Sequence, residues 1–397
     1  MNRTGLSAFL FGSALVLGVA GDAMAESDAV WKTQGVTKTE IVLGVHTDLS
    51  GPAATFGVGT TNSFRLRVDE VNAAGGIYGR KLRLVIEDTQ YQVPKAVQAA
   101  NKLINRDHIF AMVGALGTPM NNAVFKDQFA AGVPNLFPIT AARQMYEPFH
   151  PLKFSGFAPY YHQLRAGVKW MVEHKGKKKI CAMYQATDFG QEVLEGVKDQ
   201  LAAMKLPLVE ETTHKPTDTD FSAHLTKLRA AGCDLITMGT IVRDAIIPYS
   251  TARKMGWDVD FLGSTANYDL AVSGAQGGVT EGYFAMGTIN APYRETASPQ
   301  VAAWMDKYKA KFGSDPTIAS GLGYVVMDFV VFALDKAGPN LTTQSLVKAL
   351  EGIKGYRDIF GGAPQSFGPT KRLGSTQSIM FQVQKGRWVP VTETLNF

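Results

Sequence analysis

The chain has 397 residues, of which 45% are hydrophobic and 19% are charged, a composition that excludes a wholly disordered protein. Lys and Arg total 40 against 35 for Asp and Glu, and the resulting net charge of +5 is too weak to indicate a nucleic-acid-binding surface. The length predicts about two to three domains.

The N-terminus has the pattern of a secretory signal peptide. Arg3 precedes the uncharged apolar run 6–20, and residues 23–25 place small side chains at the positions that a signal peptidase reads. We therefore expect residues 1–25 to be removed and the mature chain to be a soluble periplasmic protein. The later apolar run 324–334 contains an aspartate and is too short to predict a membrane span.

Short apolar stretches alternate with amphipathic segments, and this alternation predicts α/β domains with parallel sheets. Residues 41–45 form the first such stretch, and Phe64, Val68 and Val71 then share one face of a helix. Further strands are predicted at 82–86, 109–113, 133–137, 180–184, 208–209, 235–238, 261–263 and 283–286. Further helices are predicted at 94–104, 159–173, 190–203, 221–228, 298–312, 317–337 and 343–353, with a final hairpin of 379–383 and 387–391.

The chain has two cysteines, Cys181 and Cys233, each beside an apolar run that predicts a buried strand. An exported compartment permits a disulfide, but the sequence does not fix the distance between the two Cα atoms. Of the two alternatives we favour two free buried thiols.

Motifs for covalent or cofactor chemistry are missing from the sequence. Gly57 and Gly59 are followed by Asn62 where a dinucleotide fingerprint needs a third glycine, and neither a P-loop nor a nucleophile elbow occurs. The seven histidines have no metal-binding spacing. We therefore expect no catalytic residue, no metal and no cofactor.

The segments that follow the strands carry small, hydroxyl-bearing and aromatic residues. Ligands of open α/β sheets bind at the carboxyl ends of the strands. Thr118 and Thr140 offer hydroxyls there, and free N–H groups at helix starts hold a carboxylate well. Phe56 is placed to cover an apolar part of a ligand, although helix capping for the threonines and a core position for Phe56 remain open.

The segment 40–45, followed by Ser50-Gly51-Pro52, resembles the opening of the leucine/isoleucine/valine-binding protein family, and 71–82 with its Asn72 and Gly75-Gly76 turn continues the resemblance. These proteins are the periplasmic solute receptors of branched-chain amino acid ABC importers. The resemblance covers essentially the whole mature chain. Shorter matching motifs are found at 94–97, 112–114, 188–190, 220–222 and 232–234.

This resemblance implies a type I periplasmic-binding fold, in which two doubly wound parallel-sheet lobes are joined by three crossovers and close on the ligand by a hinge motion. The crossovers are expected near 155–158, 287–290 and 353–357. Lobe 1 is then formed by 37–156 and 289–354, and lobe 2 by 157–288 and 355–397.

The resemblance also places ligand contacts on this sequence. The aromatic residue that covers the ligand falls on Phe56, and the hydroxyl that binds the α-carboxylate falls on Thr118, with Leu116 and Gly117 beside it. The aromatic residue that follows the first strand of the second lobe falls on Phe189.

The contacts expected for an α-ammonium group match less well. The carbonyl that accepts from it falls on Ile139, and the neighbouring threonine of the family falls on Ala141, one residue from Thr140. A family tyrosine falls on Ile241. The acid that pairs with the ammonium falls near Thr265, so the charge partner is missing.

Leaving a buried charge without a partner costs about 3–5 kcal/mol. Asp244 and Asp269 are the candidates to supply the missing carboxylate, but the sequence predicts more simply that both are exposed helix residues. The sequence therefore favours a small organic acid with an apolar or aromatic body over a zwitterionic amino acid. Arg243 is expected to give a second contact to the anion. The rings expected around the ligand are Phe56, Tyr160, Tyr161, Phe189 and Tyr268.

The predicted function is that of a monomeric periplasmic solute-binding protein, which delivers a small carboxylate-bearing ligand to an ABC permease in the inner membrane and is not an enzyme. A ligand sensor of the same fold, signalling to a membrane partner, remains open. An exported α/β hydrolase is disfavoured because the sequence lacks its motifs.

Overall fold

The computed structural model describes residues 30–397, so the predicted signal peptide lies outside the described residues. The strands are β1 (Glu40–Thr47), β2 (Lys81–Asp88), β3 (Ala111–Val113), β4 (Asn135–Leu136), β5 (Lys153–Phe154), β6 (Ile180–Gln185), β7 (Glu211–His214), β8 (Leu235–Gly239), β9 (Asp260–Gly263), β10 (Phe284–Gly287), β11 (Ile379–Gln384) and β12 (Arg387–Pro390). The helices are α1 (Ala54–Ala73), α2 (Val93–Asn105), α3 (Thr118–Ala130), α4 (Tyr160–Lys175), α5 (Asp188–Ala203), α6 (Ser222–Ala230), α7 (Val242–Lys254), α8 (Leu270–Ser273), α9 (Pro299–Phe312), α10 (Ile318–Ala337) and α11 (Thr343–Glu351).

The strands form two separate sheets. The first has five parallel strands in the order β2-β1-β3-β4-β5. The second has seven strands in the order β12-β11-β10-β9-β8-β6-β7, in which β6 to β10 are parallel and the final hairpin is antiparallel. The predicted α/β class, with two parallel-sheet lobes, is confirmed.

One predicted strand lies elsewhere. The apolar pair 208–209 is followed by β7, which pairs its residues 211–214 with β6. The side chains of β7 that turn inward, Thr212 and His214, are polar, so a search for apolar runs misses this strand.

The helix α10 confirms the predicted helix 317–337 to within one residue, and it extends well beyond the apolar run 324–334 that was judged too short to cross a membrane. Among the described residues it alone has the length and composition to cross a membrane, because the helix around this run spans Ile318–Ala337. Its most apolar window is 78% buried, and the helix packs against α1. Gly323 permits this close packing, since a Cβ there would lie 2.5 Å from the Thr60 carbonyl oxygen. The helix is therefore part of the core.

The segment after α11 lies against the first sheet. Ser155 forms a parallel bridge with Leu373, and the Phe367 ring contacts the rings of Phe137 and Phe154. The lobe boundaries expected from the sequence stay a prediction. From these contacts we propose that 355–374 belongs with lobe 1.

Cys181 and Cys233 form a disulfide with a Cα–Cα distance of 5.9 Å, so the preference for free thiols was wrong. Cys181 lies on β6, and Cys233 precedes β8, which pairs directly with β6. The sequence order of the strands does not reveal this pairing, because β7 comes between them along the chain and lies on the other side of β6.

We predict that the double variant Cys181→Ala/Cys233→Ala lowers the free energy of unfolding by about 4 kcal/mol. The disulfide spans 52 residues. A cross-link across a loop of this length limits the conformations of the unfolded chain and so raises its free energy by that amount. Chemical denaturation of the variant and of the oxidised wild type measures the difference. Reduced wild type is the matched control and is expected to behave like the variant; equal stability of all three samples would contradict the prediction.

Candidate functional site

A cavity of about 60 Å³ lies between the two sheets, and we call it the cleft cavity. Its walls come from the segments that follow β1, β3 and β4 of the first sheet and β6, β8 and β9 of the second. This volume exceeds what a single water molecule needs. The cavity therefore lies where open α/β sheets bind their ligands.

The structure brings eleven of the twelve predicted site residues together around the cleft cavity. Their contact with a ligand stays a prediction. These residues are Phe56, Leu116, Gly117, Thr118, Ile139, Thr140, Ala141, Tyr160, Phe189, Ile241 and Thr265.

Arg243 does not line the cavity, so the expected second contact to an anion is wrong. Its Nε donates to Asp244 Oδ1 at 2.6 Å, and its Nη2 donates to the carbonyl oxygens of Pro216 and Asp218 at 2.7 and 2.9 Å. These three acceptors hold the guanidinium against the loop after β7 and away from the ligand space.

Two of the expected aromatic residues are also elsewhere. Tyr161 lies one residue beyond Tyr160 on α4, and its hydroxyl donates to Asp199 on the helix surface. Tyr268 is fully buried and packs on Phe381 and Trp388. Neither ring reaches the cleft cavity.

A buried carboxylate holds the first loop of the site. Asp48, which follows β1, accepts hydrogen bonds from the amides of Gly51 at 2.6 Å and Ala53 at 2.7 Å. These bonds fix the start of α1 and thereby place the Phe56 ring over the cavity. The residue after Phe56 has to be a glycine, because a Cβ at Gly57 would lie 1.7 Å from the Asp48 carbonyl oxygen.

One end of the cavity is rich in hydrogen-bond donors. Thr118 is the first residue of α3, and its Oγ1 lies 2.7 Å from Oγ1 of Thr140. Among the described residues no oxygen accepts a hydrogen bond from the Thr118 amide. The positive end of the helix dipole points the same way. This arrangement can hold a carboxylate.

Tyr160 adds a third hydroxyl. Burial raises the pKa of Tyr160 and outweighs the neighbouring Ala141 amide and Thr140 hydroxyl, which lower it. The phenol therefore stays protonated at neutral pH and remains a donor. Its ring lies edge-on to that of Phe189, with centroids 5.0 Å apart.

The position where the family resemblance expects an acid is occupied by a neutral pair. The Thr265 amide donates to Gln163 Oε1 at 2.9 Å, and Gln163 Nε2 donates to Thr265 Oγ1 at 3.1 Å and to the Ala158 carbonyl at 2.6 Å. Gln163 is fully buried. None of the described residues that line the cleft cavity is Asp, Glu, Lys, Arg or His.

Asp244 and Asp269 are both fully buried, so their expected exposure was wrong. Asp244 accepts from Arg243 and lies 3.2 Å from Nε2 of His214. Asp269 caps α8 through the Ala271 amide at 2.9 Å and accepts from the Ala319 amide at 3.4 Å. Neither carboxylate lines the cavity.

Several residues of the site were missed from the sequence, Gln163, Tyr91 and Phe157 among them. Gln163 lies three positions after Tyr160 on α4, and this spacing on one helix face was a usable signal. Tyr91 lies in a loop at φ 55°, and a Cβ on Gly117 would lie 3.3 Å from its ring. Neither Tyr91 nor Phe157, a further lining residue, belongs to a periodic element.

Polar contacts connect elements of the two sheets around the cavity. Asn122 of α3 donates through Nδ2 to Asp188 Oδ2 of α5 at 2.8 Å, at an exposed position. The Arg143 guanidinium lies 3.1 Å from the buried carboxylate of Glu192. Burial raises the pKa of Glu192, although Arg143 opposes the shift.

Fold and cleft cavity together define a two-lobed solute receptor, and comparison with known proteins agrees. A family model described as periplasmic binding protein matches residues 40–387, so the chain belongs to this family. It is a periplasmic binding protein of the branched-chain amino acid ABC transporter type, and the resemblance noted in the sequence is confirmed. Members of the family bind small ligands and work with ABC transporter permeases.

Individual relatives are distant in sequence but cover most of the chain. The leucine-, isoleucine-, valine-, threonine- and alanine-binding protein of Pseudomonas aeruginosa is 25% identical over 73% of this chain and 76% of its own. The fatty acid ABC transporter substrate-binding protein of Thermomonospora curvata is 26% identical with a TM-score of 0.82, covering 92% and 95% of the two chains. A solute-binding protein of Rhodopseudomonas palustris BisB5, in complex with 3,4-dihydroxybenzoic acid, has a TM-score of 0.79 at 19% identity, covering 91% and 98%.

We predict that Asp269→Asn removes a loss of stability that the wild type shows as the pH rises to neutral. Burial raises the pKa of Asp269 from 3.8 to about 6. The protonated form is therefore favoured in the fold, and the stability that it contributes is complete below pH 3.8 and is lost as the pH rises through about 6. A pKa shift of this size corresponds to a loss of about 3 kcal/mol in the free energy of unfolding between acid and neutral pH.

Urea denaturation of the wild type and the variant at pH 4.5, 5.5 and 7 tests this. The difference in unfolding free energy is expected to grow in favour of Asp269→Asn across this range. Asp258→Asn, at a fully exposed aspartate, is the matched control and is expected to change nothing. Parallel pH profiles for the wild type and Asp269→Asn would contradict the prediction.

Proposed function

We propose that this protein binds a small organic acid with an apolar or aromatic body in the cleft cavity and delivers it to the permease of an ABC importer in the inner membrane. The lobes close over the acid by a hinge motion, and the protein acts as a monomer. Residues 1–25 direct export and are removed. No chemistry is done on the ligand.

The observation that carries the proposal is the neutral lining of the cleft cavity, in which no described residue has a charged side chain. An amino acid brings an ammonium group, and leaving such a charge buried without a partner costs about 3–5 kcal/mol. The amide and the hydroxyl oxygen of Thr265 are both hydrogen-bonded to Gln163, and neither carries a charge that could pair with an ammonium group. The cost of burying a carboxylate is offset, because Thr118, Thr140 and the start of α3 offer it donors.

The apolar side of the cavity supports the second half of the proposal. Phe56, Tyr160 and Phe189 are each less than a tenth exposed and surround the space beyond the donors. The Thermomonospora curvata relative, named as a fatty acid ABC transporter substrate-binding protein, supports a ligand that combines a carboxylate with an apolar body.

Isothermal titration calorimetry with a matched pair of ligands tests the function. Leucine and 4-methylpentanoate differ only in the α-ammonium group, and benzoate adds a ring. We expect 4-methylpentanoate or benzoate to bind and leucine to bind at least tenfold more weakly. Leucine binding tighter than both acids would overturn the proposal.

We predict that Thr118→Val lowers the affinity for the acid at least tenfold. A hydrogen bond to a charged group contributes about 1.5–3 kcal/mol, and 1.4 kcal/mol is a factor of ten. The same titration measures the effect. Thr237→Val is the matched control, because Thr237 is a buried threonine of β8 that donates to the Cys181 carbonyl at 3.0 Å and does not line the cavity. An unchanged affinity in Thr118→Val would refute the role of this hydroxyl.

A further inference from the structure

A second, smaller cavity of about 20 Å³ lies next to the cleft cavity, and we call it the crossover cavity. It lies where the chain passes between the two sheets, and its walls include 156–158, 288–289, Ser375 and Gln377. Phe157 and Thr288 line both cavities. The two spaces are therefore separated by a single layer of side chains.

The walls of the crossover cavity are mostly apolar, with Phe137, Val325 and Phe329 among them. Its volume exceeds what one water molecule needs but is far too small for a ring. The cavity therefore suits a single small group, such as the tip of a longer molecule.

One acidic residue belongs to the wall of this space. Asp358 lines the crossover cavity, and its Oδ1 accepts from the amides of Phe360 at 2.7 Å and Gly362 at 3.1 Å. Burial raises the pKa of Asp358, although these amides oppose the shift. No cation pairs with Asp358 among the ion pairs of the described residues. A hydrogen-bond donor that reaches the cavity would meet an acceptor with capacity to spare.

We propose that the crossover cavity is a second compartment of the ligand site, which takes a hydroxyl donor at the far end of an elongated acid, and that Phe157 sets the length of ligand that reaches it. The proposal rests on the proposed function and extends it. The carboxylate lies at Thr118, the apolar body fills the cleft cavity, and the distal hydroxyl passes Phe157 towards Asp358. The preferred ligand is then an aryl-bearing acid with a hydroxyl opposite its carboxylate.

Three probes separate the parts of this proposal in calorimetric titrations. Benzoate is confined to the cleft cavity, 3-phenylpropanoate adds length, and 3-(4-hydroxyphenyl)propanoate adds length and the distal donor. The wild type is expected to bind the hydroxylated long acid at least fivefold more tightly than 3-phenylpropanoate. Asp358→Asn is expected to reduce that preference to less than twofold.

Two further variants change the space of the compartment in opposite directions. Ala363→Leu fills the crossover cavity, whose wall includes Ala363, and is expected to weaken the hydroxylated long acid at least tenfold while benzoate changes less than twofold. Phe157→Ala joins the two cavities and is expected to strengthen both long acids relative to benzoate. Ala297→Leu, in a surface groove away from both cavities, is the matched control.

The outcomes distinguish the two proposals. If benzoate and 4-methylpentanoate bind but the long acids respond to none of the variants at Phe157, Asp358 and Ala363, the second compartment is overturned and the proposed function stands. If leucine alone binds, the proposed function is overturned, and the proposal of a second compartment is overturned as well. A selective loss of the hydroxylated long acid in Ala363→Leu supports both.

Discussion

The site depends on one electrostatic constraint, which is that a charge removed from water needs a partner. The cleft cavity contains hydroxyls, amides and rings but no charged side chain among the described residues. Its donors gather where α3 begins, at Thr118 and Thr140, and the proposal that the site binds an anion rests on this arrangement. The buried pair of Gln163 and Thr265 keeps the opposite wall neutral.

The scaffold explains how residues so far apart in the chain meet. Parallel strands direct their carboxyl ends to one edge of a sheet, and two such edges face each other across the cleft. Each wall segment is then fixed locally, as Asp48 fixes the turn before Phe56. The core helix α10 contributes Leu322 to the wall and ties the cavity to the centre of the first lobe.

Much of this was predictable, because apolar periodicity marks strands and helices and the residues just after a strand are restricted to one edge of the sheet. Side-chain direction was harder to predict. Tyr160 lines the cavity and Tyr161 does not, because consecutive helical residues point about 100° apart. The prediction that Arg243 reaches the site was wrong for a similar reason. The loop after β7 supplies its guanidinium with carbonyl oxygens that no local pattern reveals. The disulfide required knowledge of which strands pair.

The hydrogen bond between Asn122 and Asp188 bears on how firmly the two sides of the cleft are held together. It is an exposed hydrogen bond between side chains of elements that flank different sheets, and such a bond contributes about 0.5–1.5 kcal/mol. That amount shifts an open–closed equilibrium roughly tenfold at most. By itself this bond at the rim is therefore too weak to hold the two sides of the cleft together, and it acts beside the ion pair between Arg143 and the buried Glu192.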